Sequence, residues 1–158
     1  MTRVVDGDTV ELDGGIGKAR LIGVDTPEVY GGVECFGREA SAYAKRQLDG
    51  ESVRFVVGRD ERDRYGRVLV YLWLDDGRSF NALLVSRGYA QPLTIPPNDE
   101  YADSFVALSR RARGRSAGLW GRSGCAAALA PIHLFSLKSG NVARCPLDRH
   151  EQWCLSPL

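Results

Sequence analysis

The sequence predicts a mainly β protein with helices packed against its sheet. Three observations carry that expectation. ESVRFVV at 51–57 and RVLVYLWL at 67–74 are dense in β-branched and aromatic residues, which suit a pleated, half-buried surface. A glycine-rich turn, DGGIG, separates two strand-like segments near the amino end. Elsewhere apolar residues recur three or four apart, the spacing of a helix face. With 158 residues, 44% hydrophobic and 26% charged, the chain is long enough for one domain with a real core.

The elements follow in order. Residues 3–12 mix β-formers with an Asp-Gly-Asp bend, and KARLIGV at 18–24 returns after the DGGIG turn, so the two are expected to form a hairpin. Pro27, Gly31, Gly32 and Gly37 mark 25–37 as a long surface loop. REASAYAKRQL at 38–48 reads as a helix ended by Asp49 and Gly50, with Tyr43 and Leu48 on its buried face. The two strong strands come next, joined by the charged connection GRDERDRYG, and DDGR at 75–78 makes a turn. NALLVSRG at 81–88 is a short helix stopped by Gly88, and YAQPLTIPP is an extended piece punctuated by proline. A further helix runs from about Asp99, with Tyr101, Phe105, Leu108 and Ala112 toward the core, and ends at Gly118.

After Trp120 the texture changes. Residues 1–120 are expected to form the domain, and 121–158, with three of the four cysteines and no long periodic pattern, an extension packed on it or tethered to it. Cys35, Cys125, Cys145 and Cys154 allow two disulfides, expected to join the tail cysteines with one bond reaching Cys35. No CxxC pair is present, so structural zinc is not expected. No run approaches the eighteen or so apolar residues of a membrane span, and MTRVVDGDTV carries no hydrophobic targeting core. The first strand is short at its amino end, which suggests trimming or a processed start. The expected location is secreted or at the cell surface, with the signal segment outside this chain; a cytoplasmic location is also compatible. The formal charge of +1 does not by itself point to a polyanionic partner.

The informative charges lie where a fold alone has little use for them. Asp6 and Asp8 sit in DGDTV, Arg20 in a strand, Asp25 and Glu28 just past it in RLIGVDTPE, and Arg67 opens the strongest strand. Each has a plain structural reading, as a turn carboxylate, a snorkelling arginine or a loop cap. Together they suggest more. Two carboxylates brought close repel unless a cation or arginines compensate them, and a metal is the compensation expected here. Hard oxygen donors without a neighbouring histidine or thiol favour calcium or magnesium, and an irregular loop offering carbonyls tolerates calcium. Cleaving a phosphodiester needs a cation, an activated water and fixed donors for the developing charge. Arg20 and Arg67 can supply the donors, and Glu28 can orient or deprotonate the water. His133 and His150 lie in the tail, and no serine or cysteine has an evident base partner, so a covalent nucleophile is not expected.

VVDGDTVEL, ARLIGVDTPE, DRYGRVLVYLW and NALLVSRGYA together resemble the staphylococcal nuclease (thermonuclease) family over roughly residues 3–120. The resemblance implies an OB-fold, a five-stranded Greek-key barrel with about three packed helices, and a calcium-dependent nuclease site. It implies catalytic roles for Arg20, Glu28 and Arg67, metal ligation by Asp8, Asp25 and the Thr26 carbonyl, and a supporting place for Asp6 near the metal. Tyr65 would touch a terminal phosphate, with Arg64 beside it in the substrate-binding group. The implied activity is hydrolysis of single-stranded DNA and RNA to 3′-phosphate ends, with weak sequence selectivity. A monomer is expected, since no obligate protein partner is evident in the sequence.

The sequence departs from the family at QPLTIPPND, where Thr94 is nearest the position of a base-stacking tyrosine. Stacking is worth about 1 to 3 kcal/mol per base, so weaker substrate binding is expected, with the phosphate chemistry little affected. Arg59, Arg62 and Arg64 flank Arg67 and are candidates for guiding a polymer, whereas Arg110, Arg111, Arg113 and Arg115 read as a solvated helix face. The rival reading is a nucleic-acid-binding or protein-binding module that keeps the fold without the chemistry. The complete set of Asp8, Arg20, Asp25, Glu28 and Arg67 argues against it, because binding alone has little use for paired acids.

Overall fold

A computed structural model describes residues 2–121 and Cys125. Cys145, Cys154 and most of the expected extension therefore lie outside the described residues. The strands are β1 (Thr2–Val4), β2 (Thr9–Leu12), β3 (Gly17–Leu21), β4 (Val24–Asp25), β5 (Val53–Arg62), β6 (Val68–Leu74) and β7 (Gln91–Pro92). The helices are α1 (Gly37–Leu48), α2 (Phe80–Ser86) and α3 (Ala102–Gly114), followed by a 3-10 turn at Gly118–Trp120.

Five strands form one mixed sheet in the order β1-β2-β3-β6-β5, and β4 pairs separately with β7. The expected hairpin is present as β2 against β3, with Thr9 opposite Arg20. The Asp-Gly-Asp bend does more than kink a strand: it reverses the chain, so β1 pairs antiparallel with β2. The charged connection after Val57 is itself strand, because β5 continues to Arg62 after a register shift against β6.

The barrel does not hold. Closing a sheet into an OB-fold requires its two edges to pair, yet β1 pairs only with β2 and β5 only with β6 among the described residues. At the β1 edge the reason is local. The Val4 N–H, which a closing strand would have taken, donates to Asp49 Oδ1 at 2.8 Å, and helix α1 packs against β1 there. The architecture is an open mixed sheet with three helices, neither a Greek-key barrel nor an OB-fold.

The core fills from alternate strand positions and from helix faces. Val10, Ala19, Leu21, Val70 and Leu72 are buried with Phe80 and Leu84 of α2. Tyr43 and Leu48 of α1 are buried as expected, as are Phe105 and Ala112 of α3, with Tyr101 and Leu108 half-buried. Asn81 is a polar side chain that is fully enclosed. Asn81 Oδ1 accepts the Leu72 N–H at 3.0 Å, and its amide donates to the Ile22 carbonyl at 2.9 Å. It thereby ties α2 to β6 and to the end of β3, the strand that carries Arg20. Asn81→Leu, close in volume, would strand both backbone groups, at about 1 to 3 kcal/mol for each buried unpaired group. The expected loss is about 3 kcal/mol, read from the urea midpoint; an unchanged midpoint would remove this role.

Candidate active site

Four elements meet at the cluster. Asp6 begins it: its Oδ1 accepts the backbone N–H groups of Asp8 and Thr9 at 3.0 and 2.7 Å, fixing the turn into β2. Gly7 is required between them, since a Cβ there would lie 2.5 Å from Thr26 Oγ1. Because the backbone can come that close, Thr26 donates to Asp8 Oδ2 from both its N–H and its hydroxyl, each at 2.8 Å. Arg20 Nη1 makes an ion pair with the same oxygen at 2.7 Å, and its Nη2 reaches Asp25 Oδ1 at 3.0 Å. Asp8 and Asp25 thus converge on one guanidinium.

The buried position of Asp8 sets its electrostatics. Burial pushes its carboxyl up, against the pull of Arg20 and the Thr26 hydrogen bonds, to about 6. An ionised carboxylate there carries a desolvation cost that Arg20 and the Thr26 hydrogen bonds offset only in part.

Arg67 joins the cluster from the turn before β6. Its Nε donates to Asp63 Oδ2 at 2.7 Å and its Nη1 to Thr9 Oγ1 at 3.3 Å. Thr9 Oγ1 lies 3.3 Å from Asp8 Oδ1. A continuous polar chain thus runs from Asp63 through Arg67, Thr9, Asp8 and Arg20 to Asp25. Burial raises the Asp63 carboxyl, but hydrogen bonds from Arg67 and from the Tyr65 N–H outweigh it and leave it below the ordinary value. Sequence reading missed Asp63 and Thr9. The signal for Asp63 was its spacing of four from Arg67 across the DRYGR turn; Thr9 carried none, because its partner Arg67 is 58 residues away.

The remaining candidates are placed differently. Tyr65 is exposed, with the Arg64 and Arg67 guanidinium carbons 4.8 and 5.4 Å from its ring centre, and Arg64 Nη2 donates to its hydroxyl at 2.7 Å. Glu28 is exposed, and its carboxylate takes no hydrogen bond or ion pair among the described residues; only its backbone is fixed, by Glu34. A cleft of about 610 Å³ opens between Arg20, Arg67 and Tyr65 on one side and Leu93, Ile95 and Pro96 on the other, without Asp8, Asp25 or Glu28 in its lining. Thr94 does not line it. An aliphatic wall thus stands where the sequence led us to expect no platform. Arg59 pairs with Asp99 at 3.5 Å, whereas Arg62 and Arg64 border the cleft. On α3, Arg113 stacks on Trp120 and Arg115 donates to the Ser86 carbonyl, so part of that arginine face is structural.

The fold and this cluster define a class: a small mixed-sheet protein with two arginines and three carboxylates in one polar chain beside an open cleft. Comparison with known proteins narrows it. The family described as staphylococcal nuclease homologue matches residues 18–122. The chain is 38% identical over 125 residues to the thermonuclease of Staphylococcus intermedius, covering 76% of this chain and 74% of that protein. It is 38% identical over 123 residues to the thermonuclease of Staphylococcus hyicus, covering 75% and 72%. With endonuclease YhcR of Bacillus subtilis it shares 36% over 132 residues, a match covering 75% of this chain and 11% of that protein. The chain belongs to the staphylococcal nuclease family, and that membership supports an activity of nuclease type. The Cys35–Cys125 disulfide, with Cα atoms 5.6 Å apart, bears out the expected bond to Cys35. No helix among the described residues is long and apolar enough to cross a membrane.

Proposed function

We propose that this chain is a calcium-dependent phosphodiesterase that hydrolyses single-stranded DNA and RNA with weak sequence selectivity, leaving 3′-phosphate ends. The observation that carries the reading is the polar chain from Arg67 through Thr9 and Asp8 to Arg20 and Asp25. It holds two permanent cations beside two acids, an arrangement suited to binding a phosphodiester beside a metal.

The donor set fits calcium in kind. Asp8 and Asp25 offer hard carboxylate oxygens and Thr26 a carbonyl, and the desolvated Asp8 carboxylate, raised to about 6, gains most from a cation. Bound there, calcium would polarise a phosphoryl oxygen and lower the pKa of water.

The arginines grip the substrate. A guanidinium carries five N–H groups. Among the described residues Arg67 spends one on Asp63 and one on Thr9, leaving three for phosphate oxygens. Arg20 donates Nη1 to the Val24 carbonyl and Nη2 to Asp25, and ion-pairs with Asp8 through Nη1, so that among the described residues at least two N–H groups remain. Glu28, exposed and without a partner for its carboxylate among the described residues, accepts the proton of the attacking water. The 5′ oxygen then leaves and the phosphate stays on the 3′ oxygen. A cleft wall of Leu93, Ile95 and Pro96, whose aliphatic side chains read no base edge, supports weak sequence selectivity. The Cys35–Cys125 disulfide supports an oxidising location, secreted or at the cell surface.

The test is hydrolysis of labelled single-stranded DNA and RNA with calcium, with magnesium and with EGTA, beside Glu28→Gln. Cleavage with calcium should disappear in EGTA, and the variant should lose on the order of 10²-fold or more in turnover. A folded Glu28→Gln protein that cleaves at the unaltered rate would overturn the role of Glu28. A folded native protein that does not cleave would leave the binding-module reading standing.

A further inference from the structure

The loop that carries Glu28 is closed on itself and then bonded to Cys125, beyond the last helix. The Glu28 N–H donates to Glu34 Oε2 at 3.1 Å, and the Glu34 N–H returns to the Glu28 carbonyl at 2.9 Å. Between them lie Gly31 and Gly32, both exposed and both at positive φ, so the intervening chain has little stiffness of its own. Gly37 packs against the Glu28 carbonyl so closely that a Cβ would sit 2.5 Å from it. Cys35, next to Glu34, is bonded to Cys125 across 90 residues of sequence. Phe36, next again, holds φ +70, a left-handed conformation that L residues rarely adopt. Its ring stacks on Tyr89 at 5.5 Å, and Tyr89 stacks on Tyr43 at 4.3 Å. Three consecutive residues thus fasten the loop in three ways: Glu34 to Glu28, Cys35 to Cys125, and Phe36 to the aromatic stack.

We propose that Glu34 and the Cys35–Cys125 disulfide are positioning elements for Glu28, and that the redox state of the exposed disulfide sets the turnover of the site. The inference rests on the nuclease reading for its catalytic consequence, though not for the tether itself. Reduction balances simply: a dithiol supplies two electrons and two protons, the S–S bond breaks, two cysteine thiols form, and the dithiol leaves as its cyclic disulfide. With the bond open, one of the three fastenings is lost, and the Glu28–Glu34 pair and the Phe36 stack must hold the loop without it. The phosphate-gripping arginines sit on β3 and beside β6, outside this loop, so binding should change little while the placement of Glu28 suffers. A misplacement of about 1 Å can cost on the order of 10²-fold in rate.

The experiment compares the oxidised protein, the dithiol-reduced protein, Cys35→Ser/Cys125→Ser and Glu34→Gln, each confirmed folded by circular dichroism. Two readouts are taken: steady-state cleavage, and hydrogen exchange of the Glu28 and Leu72 amides followed by NMR. Reduction and the double serine variant should each lower kcat about tenfold with KM within twofold, and reoxidation should restore the reduced native protein. In a Glu28→Gln background, reduction should cost no further activity. The Glu28 amide should exchange faster on reduction, while the core Leu72 amide, bonded to Asn81, should not. Unchanged kcat and unchanged Glu28 exchange would overturn the proposal, as would a loss shared equally by Glu28 and Leu72. If the oxidised protein does not cleave at all, the nuclease reading fails by itself, and the amide exchange alone decides the tether.

Discussion

Arg67→Ala is expected to lower kcat on single-stranded DNA by at least about 10²-fold, with KM rising far less. Removal of one preorganised donor to a developing oxyanion typically costs about 10² to 10³ in kcat, and Arg67 brings three uncommitted N–H groups. The orientation of those groups is already determined, because Asp63 and Thr9 fix the guanidinium plane before substrate arrives. Arg67→Lys should recover only a small part of the loss, since an ammonium keeps the charge without the planar fork. Asp63→Asn, which keeps the shape but weakens the clamp, should fall between. Steady-state kinetics on a labelled oligonucleotide checks the series. An alanine variant losing only in KM would place Arg67 in uniform substrate binding and remove it from transition-state stabilisation.

Asp8→Asn should abolish calcium-dependent turnover and, at neutral pH, make the protein more stable. The activity follows from loss of a charged oxygen donor. The stability follows from the raised pKa, with the sign as follows. Asp8 binds its proton up to about pH 6 in the folded state, against an ordinary value of 3.8. Between those values the unfolded chain has already released a proton that the folded one keeps, so stability falls as pH rises through that window. Above it the folded state carries the full cost of an ionised, desolvated carboxylate, despite Arg20. Asparagine removes that cost while its amide oxygen can still accept the Thr26 donors and its NH₂ can face Thr9 Oγ1. A shift of about two units corresponds to roughly 2 to 3 kcal/mol, so the gain at pH 7 should approach about 2 kcal/mol after the weakened Arg20 pairing is counted. It should shrink toward zero near pH 4. Urea denaturation of both proteins at pH 4 and pH 7 decides it; a variant less stable at both would show that the Arg20 pairing outweighs desolvation.

How far the sequence reveals this molecule depends on the range of the interaction concerned. The helix faces of Tyr43, Leu48, Phe105 and Ala112 are periodic, so they can be read from spacing, and the structure buries all four. Asp8, Arg20 and Asp25 could be read as a group because charges at the ends of adjacent strands have few reasons to be there. Thr9 could not: its hydroxyl matters only because Arg67, 58 residues away, reaches it. Asn81 is similar, an ordinary residue in a short helix until its amide is found between Ile22 and Leu72. The expected barrel came from resemblance, and the edge geometry overturned it. Whether β1 meets another strand or is capped turns on one hydrogen bond from Val4 to Asp49, 45 residues apart. Strand β5 was cut short in the reading because GRDER is too charged for a buried strand, and in fact it is an exposed one.

That exposure has a consequence for how the protein behaves in concentrated solution. A closed barrel has no free edge, but here β5 ends the sheet, ten residues long, with Val56 and Val57 55% and 38% exposed. Such an edge invites pairing with the same edge of a neighbouring molecule. Its guard is electrostatic and geometric: Arg54, Arg59, Asp60, Glu61 and Arg62 surround the two valines, and the register shift after Val57 interrupts a flat pairing surface. Salt screens the first of these protections and leaves the second. Colloidal stability should therefore be set by ionic strength at this strand, and neutralising its charges should promote self-association.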